Sequence, residues 1–73
     1  MTLGELLKGK NQIYVVEYST MHFNDGTTFD QFIGGCFYVE GKLLSLDGDS
    51  YDLNEEVVSY KWRNNTDLEV FIP

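Results

Sequence analysis

The sequence has little of several features that would otherwise indicate where and how the protein works. It contains one cysteine, so a disulfide within the chain is excluded, and this cysteine content is typical of a reducing compartment. No stretch approaches the roughly 18 consecutive apolar residues of a membrane-spanning helix, and the first residues lack the pattern of a secretory signal. We therefore expect a cytoplasmic protein that does not bind membranes.

Basic side chains are scarce as well. Five Lys and Arg residues stand against twelve Asp and Glu residues, which gives a net charge of −7. Proteins that bind the nucleic-acid backbone neutralise its phosphates with Lys and Arg, so we expect no direct binding of nucleic acid. The acids are concentrated: residues 25–56 hold eight acids and one lysine, a difference of seven that equals the whole net charge.

Five of these acids lie within ten residues and form what we call the acidic segment: Asp47, Asp49, Asp52, Glu55 and Glu56. One interpretation is a solvated stretch that keeps a small protein soluble. Another is a contact surface for a partner protein with a basic surface, because opposite charges steer the encounter. A cation site built on Asp47, Asp49 and Asp52 is a third, although an EF-hand loop would need a glycine at Asp52 and a glutamate at Val58.

Residues for catalysis are few. Cys36 and His22 are the only residues of their kinds, and Cys36 lies in an apolar run typical of a buried, unreactive thiol. A zinc site needs three or four ligands, which one cysteine and one histidine do not supply. The pair Gly34-Gly35 lacks the spacing and the following lysine of a phosphate-binding loop. We expect no enzyme, no cofactor and no metal.

Aromatic residues make up 15% of the chain, and most of them fall on predicted strands. Core packing is their ordinary role. Tyr60 and Trp62 are candidates for contact with a partner protein, because aromatic residues anchor interfaces. A platform that stacks nucleic-acid bases would need a positively charged groove, which the composition does not favour.

The 73 residues predict a single domain, 1–73, with one short helix over residues 2–8. Thr2 and Glu5 have the spacing of a capping box, in which each side chain satisfies an amide of the first turn. Residues 12–18 form a strand with two largely apolar faces, and Glu40-Gly41 has the composition of a two-residue hairpin turn. The paired glycines at 34 and 35 indicate a bulge, a bend or a close approach of backbone.

The remaining elements complete a mostly β pattern. Residues 57–63 and 68–72 form a final hairpin, and residues 51–53 are a short strand or an extended link. Residues 19–32, around the turn Asn24-Asp25-Gly26, are a long hairpin tip or a mobile loop. The predicted fold is α+β, mostly β: a short N-terminal helix packed on a five- to six-stranded antiparallel, strongly bent sheet or small open barrel.

The stretch from Gly41 to Ile72 resembles short acidic proteins encoded on bacterial phages and mobile elements. The residues that carry the resemblance are turn and strand residues: Asp47-Gly48-Asp49-Ser50-Tyr51, Leu53, Glu56-Val57, Ser59-Tyr60 and Trp62. The resemblance implies no activity. We therefore predict a small non-enzymatic accessory protein that binds another protein. The alternatives are a DNA-mimic inhibitor of a nucleic-acid-binding enzyme and a structural subunit that self-associates through an exposed strand edge.

Overall fold

A computed structural model describes residues 1–46 and 51–73 of the chain. Its elements, in chain order, are α1 (Leu3–Leu7), β1 (Ile13–His22), β2 (Thr28–Val39), β3 (Lys42–Ser45), β4 (Ser59–Trp62) and β5 (Asp67–Ile72). The strands form one sheet in the order β3-β2-β1-β5-β4, and this sheet does not close into a barrel. The predicted mostly β, α+β fold is confirmed. Across the two described ranges, no helix is long and apolar enough to span a membrane.

The sheet is mixed, whereas the sequence predicted antiparallel strands throughout. β1 and β5 run parallel, with Tyr14 opposite Asp67 and Ser19 opposite Ile72. The other three strand pairs are antiparallel. Hairpin turns predict only antiparallel neighbours, and the β1–β5 contact joins strands from the two halves of the chain. A parallel pair therefore lies at the centre of the sheet.

Helix α1 begins with the predicted capping box. The Thr2 hydroxyl accepts a hydrogen bond from the Glu5 amide at 3.3 Å, and the Thr2 amide donates to Glu5 Oε1 at 2.9 Å. A helix of five residues does not persist alone in water, so its stability comes from packing. Leu3, Leu6 and Leu7 are all buried against the sheet.

The hydrophobic core fills the space between α1 and one face of the sheet. Ile13 and Val15 point to this side because alternate strand residues share a face. The buried members of the core are Leu3, Leu6, Leu7, Ile13, Val15, Cys36, Val57, Leu68 and Val70. Glu17 also lies buried on this side, two residues beyond Val15. We call this the inner face of the sheet and the opposite side the outer face.

The predicted turn at residues 40 and 41 joins β2 to β3. Both residues have positive φ, 51° at Glu40 and 79° at Gly41, as a two-residue turn with the twist of a hairpin requires. The paired glycines also behave as predicted. The register between β1 and β2 shifts next to Gly34, and at Gly35 an added Cβ would lie 3.0 Å from the Tyr14 hydroxyl.

Candidate functional site

The acidic segment is only partly open to a partner. Asp47 and Asp49 lie outside the described residues, so their part of the prediction stays untested. The Asp52 carboxylate accepts a hydrogen bond from the Asn54 amide at 2.9 Å. The backbone around it holds α1 in place: the Leu3 amide donates to the Glu55 carbonyl at 2.9 Å. The Glu55 amide donates to the Asp52 carbonyl at 3.0 Å, so residues 52–55 form a turn rather than the predicted strand or extended link, and this turn supports the helix.

Glu56 forms an ion pair within the chain. Its Oε1 lies 2.7 Å from the amine of Met1, and the same contact is a hydrogen bond. The hydrogen bond to Glu56 raises the pKa of the Met1 amine above its usual value of 8.0, whereas desolvation acts in the opposite direction. This ion pair reduces the negative charge that the segment presents to a partner.

The two aromatic candidates, Tyr60 and Trp62, lie in different environments. Trp62 is half-buried and packs against the core, and the ammonium of Lys10 lies 5.1 Å from the centroid of its ring. This is the geometry of a cation–π contact. Tyr60 is 46% exposed on β4, which forms one edge of the sheet. Tyr60 is therefore accessible to a partner, whereas Trp62 mainly closes the core.

The hairpin of β1 and β2 extends well beyond the rest of the sheet. The pairing of β5 with β1 ends at Ser19, and the pairing of β3 with β2 includes residues 36–39 alone. Within the described part of the chain, residues 20–30 consequently pair only with each other. We call these residues the arm. The molecule measures 43 × 23 × 21 Å, an elongated shape for a chain of this length.

A tightly bonded turn shapes the tip of the arm. The Gly26 amide donates to the Phe23 carbonyl at 3.1 Å, and the Phe23 amide donates to the Thr27 carbonyl at 3.0 Å. Gly26 has a φ of 87°, a conformation that suits glycine. Asp25 accepts from the amide and the hydroxyl of Thr27 at 2.9 and 2.6 Å, and these bonds lower the pKa of Asp25. The predicted turn is thus confirmed as part of an ordered hairpin.

Apolar side chains gather on one side of the arm. Phe23 stacks on Phe29 with ring centroids 5.3 Å apart and an interplanar angle of 19°. Met21 is the cross-strand partner of Phe29. All three side chains are accessible, with 40% of Met21, 53% of Phe23 and 47% of Phe29 exposed. We call these three residues the arm cluster. Large exposed apolar groups gathered in one place are typical of interaction surfaces.

The other side of the arm is polar. The Thr20 hydroxyl donates to Asp30 Oδ1 at 3.0 Å, and His22 faces Thr28 in the next cross-strand pair. Polar and apolar residues alternate along each strand of the arm, so the arm is an amphipathic ribbon. Only one side of the arm therefore offers apolar contact area.

One edge of the arm is the side of β2 that faces away from β1, and we call it the outer edge. Among the described residues, its backbone groups are unpaired. The hydrogen bond from the Phe23 amide to the Thr27 carbonyl sets the alternation along the hairpin. With this alternation, Thr28, Asp30 and Phe32 direct their amides and carbonyls away from β1. No strand among the described residues pairs with this edge, because β3 begins its pairing with β2 at Cys36. Such an edge can accept another strand.

The outer face of the sheet forms a second apolar surface near the base of the arm. The ring of Tyr18 stacks on Phe71 at 5.3 Å and meets Phe32 edge-on at 6.0 Å. Phe32 is 59% exposed. Helix α1 does not cover this face, because it lies on the inner side with the core.

The two catalytic candidates are not brought together. Cys36 is buried opposite Val15, and His22 lies in the arm seven residues further along β1. At about 3.3 Å per strand residue, these positions are about 23 Å apart. Among the residues that the structure describes, no group of three or more His, Cys, Asp or Glu side chains could hold a metal ion, and no pocket is found.

No protein-family model, curated protein or solved structure matches the chain. The sequence interpretation missed the arm cluster because residues 19–32 have a weak strand pattern. A signal was nevertheless present: Phe23 and Phe29 flank the polar turn Asn24-Asp25-Gly26, where a solvated hairpin tip would not need aromatic side chains.

Proposed function

We propose that this protein is a small, non-enzymatic binding protein, and that the arm is the element that contacts its partner protein. The observation that carries the proposal is the arm cluster: three large apolar side chains, each about half exposed, on a ribbon that projects from the sheet. A two-stranded ribbon alone is only marginally stable in water, so a partner that covers its apolar side would stabilise it. Binding of a partner protein therefore best explains why the ribbon has an exposed apolar side.

The acidic segment has a secondary role in this proposal. Glu56 is already paired with the Met1 amine, and the backbone near Glu55 holds the helix. The net charge of −7 still produces a negative field that accelerates encounter with a basic surface. Contact area then comes from the arm, while charge affects mainly the association rate and its salt dependence.

The test compares variants at matched positions. A tagged full-length chain is used to isolate the partner from cells, and the purified pair is then studied by titration calorimetry. Phe29→Ser should weaken binding at least about tenfold, the effect of losing about 1.4 kcal/mol of contact. Tyr60→Ser removes an aromatic group of nearly equal exposure, 46% against 47%, from β4 and should change the affinity little.

A third variant addresses the charge. Glu55→Gln combined with Glu56→Gln should slow association and reduce its salt dependence while leaving most of the affinity. If this variant loses binding while Phe29→Ser binds like the wild type, the acidic segment is the contact element and the proposal is wrong. Unchanged thermal unfolding of Phe29→Ser is the control for folding.

A further inference from the structure

We propose that two copies of this chain pair through the outer edges of their arms, antiparallel and about a two-fold axis at Phe29. The inference rests on the proposed role of the arm as the contact element, and it names the occupant of the arm's open edge. The edge offers the amides and carbonyls of Thr28, Asp30 and Phe32 to another strand. An antiparallel pair of identical strands satisfies the same groups on both copies.

The side chains select one register. An axis at Asp30 would place the two Asp30 carboxylates opposite each other, and like charges in that position are destabilising. An axis at Phe29 instead places each Asp30 opposite Thr28 of the second copy. The Thr28 hydroxyl can then donate to that carboxylate, in the way that Thr20 already does within the chain at 3.0 Å. Four backbone hydrogen bonds form between the edges, two for each Thr28–Asp30 pair.

The same register joins the apolar sides. Phe29 lies between Met21, its cross-strand partner, and Phe23, on which it stacks. With Phe29 on the axis, the two arm clusters meet along one side of a four-stranded ribbon. The apolar sides of the two arms then form one continuous surface. An axis at Gln31 would separate the two Phe29 rings and leave the clusters apart.

The expected dimer is weak. An aromatic residue buries about 150–250 Å² when fully covered, and the arm cluster is only half exposed. Together with a short backbone edge, the interface covers a few hundred Å² per copy, below the roughly 800 Å² of a stable interface. The net charge of −7 on each copy adds repulsion, so salt should tighten the dimer by screening. A basic partner held by charge would show the opposite dependence on salt.

Sedimentation equilibrium of the full chain at concentrations up to about 1 mM measures the dimer. We expect a monomer–dimer equilibrium that Phe29→Ser weakens at least about tenfold and that Tyr60→Ser leaves unchanged. A protein that stays monomeric throughout this range overturns the inference, as does a dimer indifferent to Phe29→Ser. A monomeric protein that still loses its partner protein through Phe29→Ser would leave the proposed function in place.

Disulfide cross-linking tests the register. The axis at Phe29 places residue 27 opposite residue 31 of the second copy, in a pair whose Cα atoms are about 4.5 Å apart. This separation fits a disulfide. The double variant Thr27→Cys/Gln31→Cys should form a covalent dimer under mild oxidation, and each single variant should not. Cross-linking of Gln31→Cys alone would contradict the register. The wild type, with only the buried Cys36, is the control for nonspecific oxidation.

Discussion

The location of the core on one side of the sheet gives the most direct prediction of stability. Leu7 lies in α1 and is fully buried, whereas Leu44 lies on the outer face of β3 and is 49% exposed. Replacing either leucine by alanine removes the same atoms. The two substitutions therefore differ mainly in the environment from which those atoms are lost.

The expected losses follow from burial. Leu7→Ala leaves a cavity beneath the helix and should cost about 3–4 kcal/mol in the free energy of unfolding. Leu44→Ala removes a half-exposed side chain without a cavity and should cost about 1 kcal/mol. At about 0.05–0.15 kcal/mol per residue, a chain of 73 residues has a total of about 4–11 kcal/mol. Leu7→Ala should therefore remove a large fraction of the stability.

Urea unfolding followed by the fluorescence of Trp62 measures this difference, because Trp62 is the only tryptophan and packs against the core. With a slope of about 1 kcal/mol per molar urea, Leu7→Ala should lower the midpoint by about 3 M and Leu44→Ala by about 1 M. The protein concentration is kept low so that association does not contribute. Equal losses in the two variants would mean that the outer face is as well packed as the inner face, which would refute the argument.

Three further predictions concern local features. Thr2→Ala removes the helix cap and should cost about 1 kcal/mol, whereas Thr2→Ser should keep most of the stability, as measured by urea unfolding. Gly35→Ala should cost about 1–3 kcal/mol in the free energy of unfolding, because its Cβ would lie 3.0 Å from the Tyr14 hydroxyl. The same substitution should cost less in a Tyr14→Phe background, as a double-mutant cycle measures. An equal cost in the two backgrounds would exclude this contact as the cause. Hydrogen bonds from Thr2 lower the pKa of Glu5 below its usual value of 4.5. The ionised Glu5 carboxylate therefore stabilises the fold above that pH. This stabilisation is lost as the pH falls through the lower pKa of Glu5 in the folded state. Glu5→Gln should accordingly flatten the acid side of the stability curve, and an unchanged curve would contradict the assignment.

The sequence was sufficient where a feature depends on neighbouring residues. Thr2 and Glu5 are three residues apart, and the capping box forms as predicted. The turn at Glu40-Gly41 requires two residues that accept positive φ, and both have it. The glycine pair at 34 and 35 predicted a bulge or a close approach, and both are present.

Long-range pairing was harder to predict from the sequence. The parallel contact of β1 with β5 depends on how the two halves of the chain meet, and no local pattern specifies it. The arm was difficult for a related reason. Past Ser19 the hairpin loses its neighbours on both sides. Its apolar residues therefore cover no core, although they still alternate with polar ones. Charge concentration directed attention to residues 47–56, although contact area is concentrated in the arm.

Amide hydrogen exchange followed by NMR, at increasing protein concentration and then with a purified partner, tests the role of the arm most directly. The amides of Thr28 and Asp30 point away from β1 and should exchange rapidly in the dilute protein. On association they should become protected, whereas the Phe23 amide, already bonded to Thr27, should change little. Protection that appears in residues 52–56 while Thr28 and Asp30 remain unprotected would contradict the account.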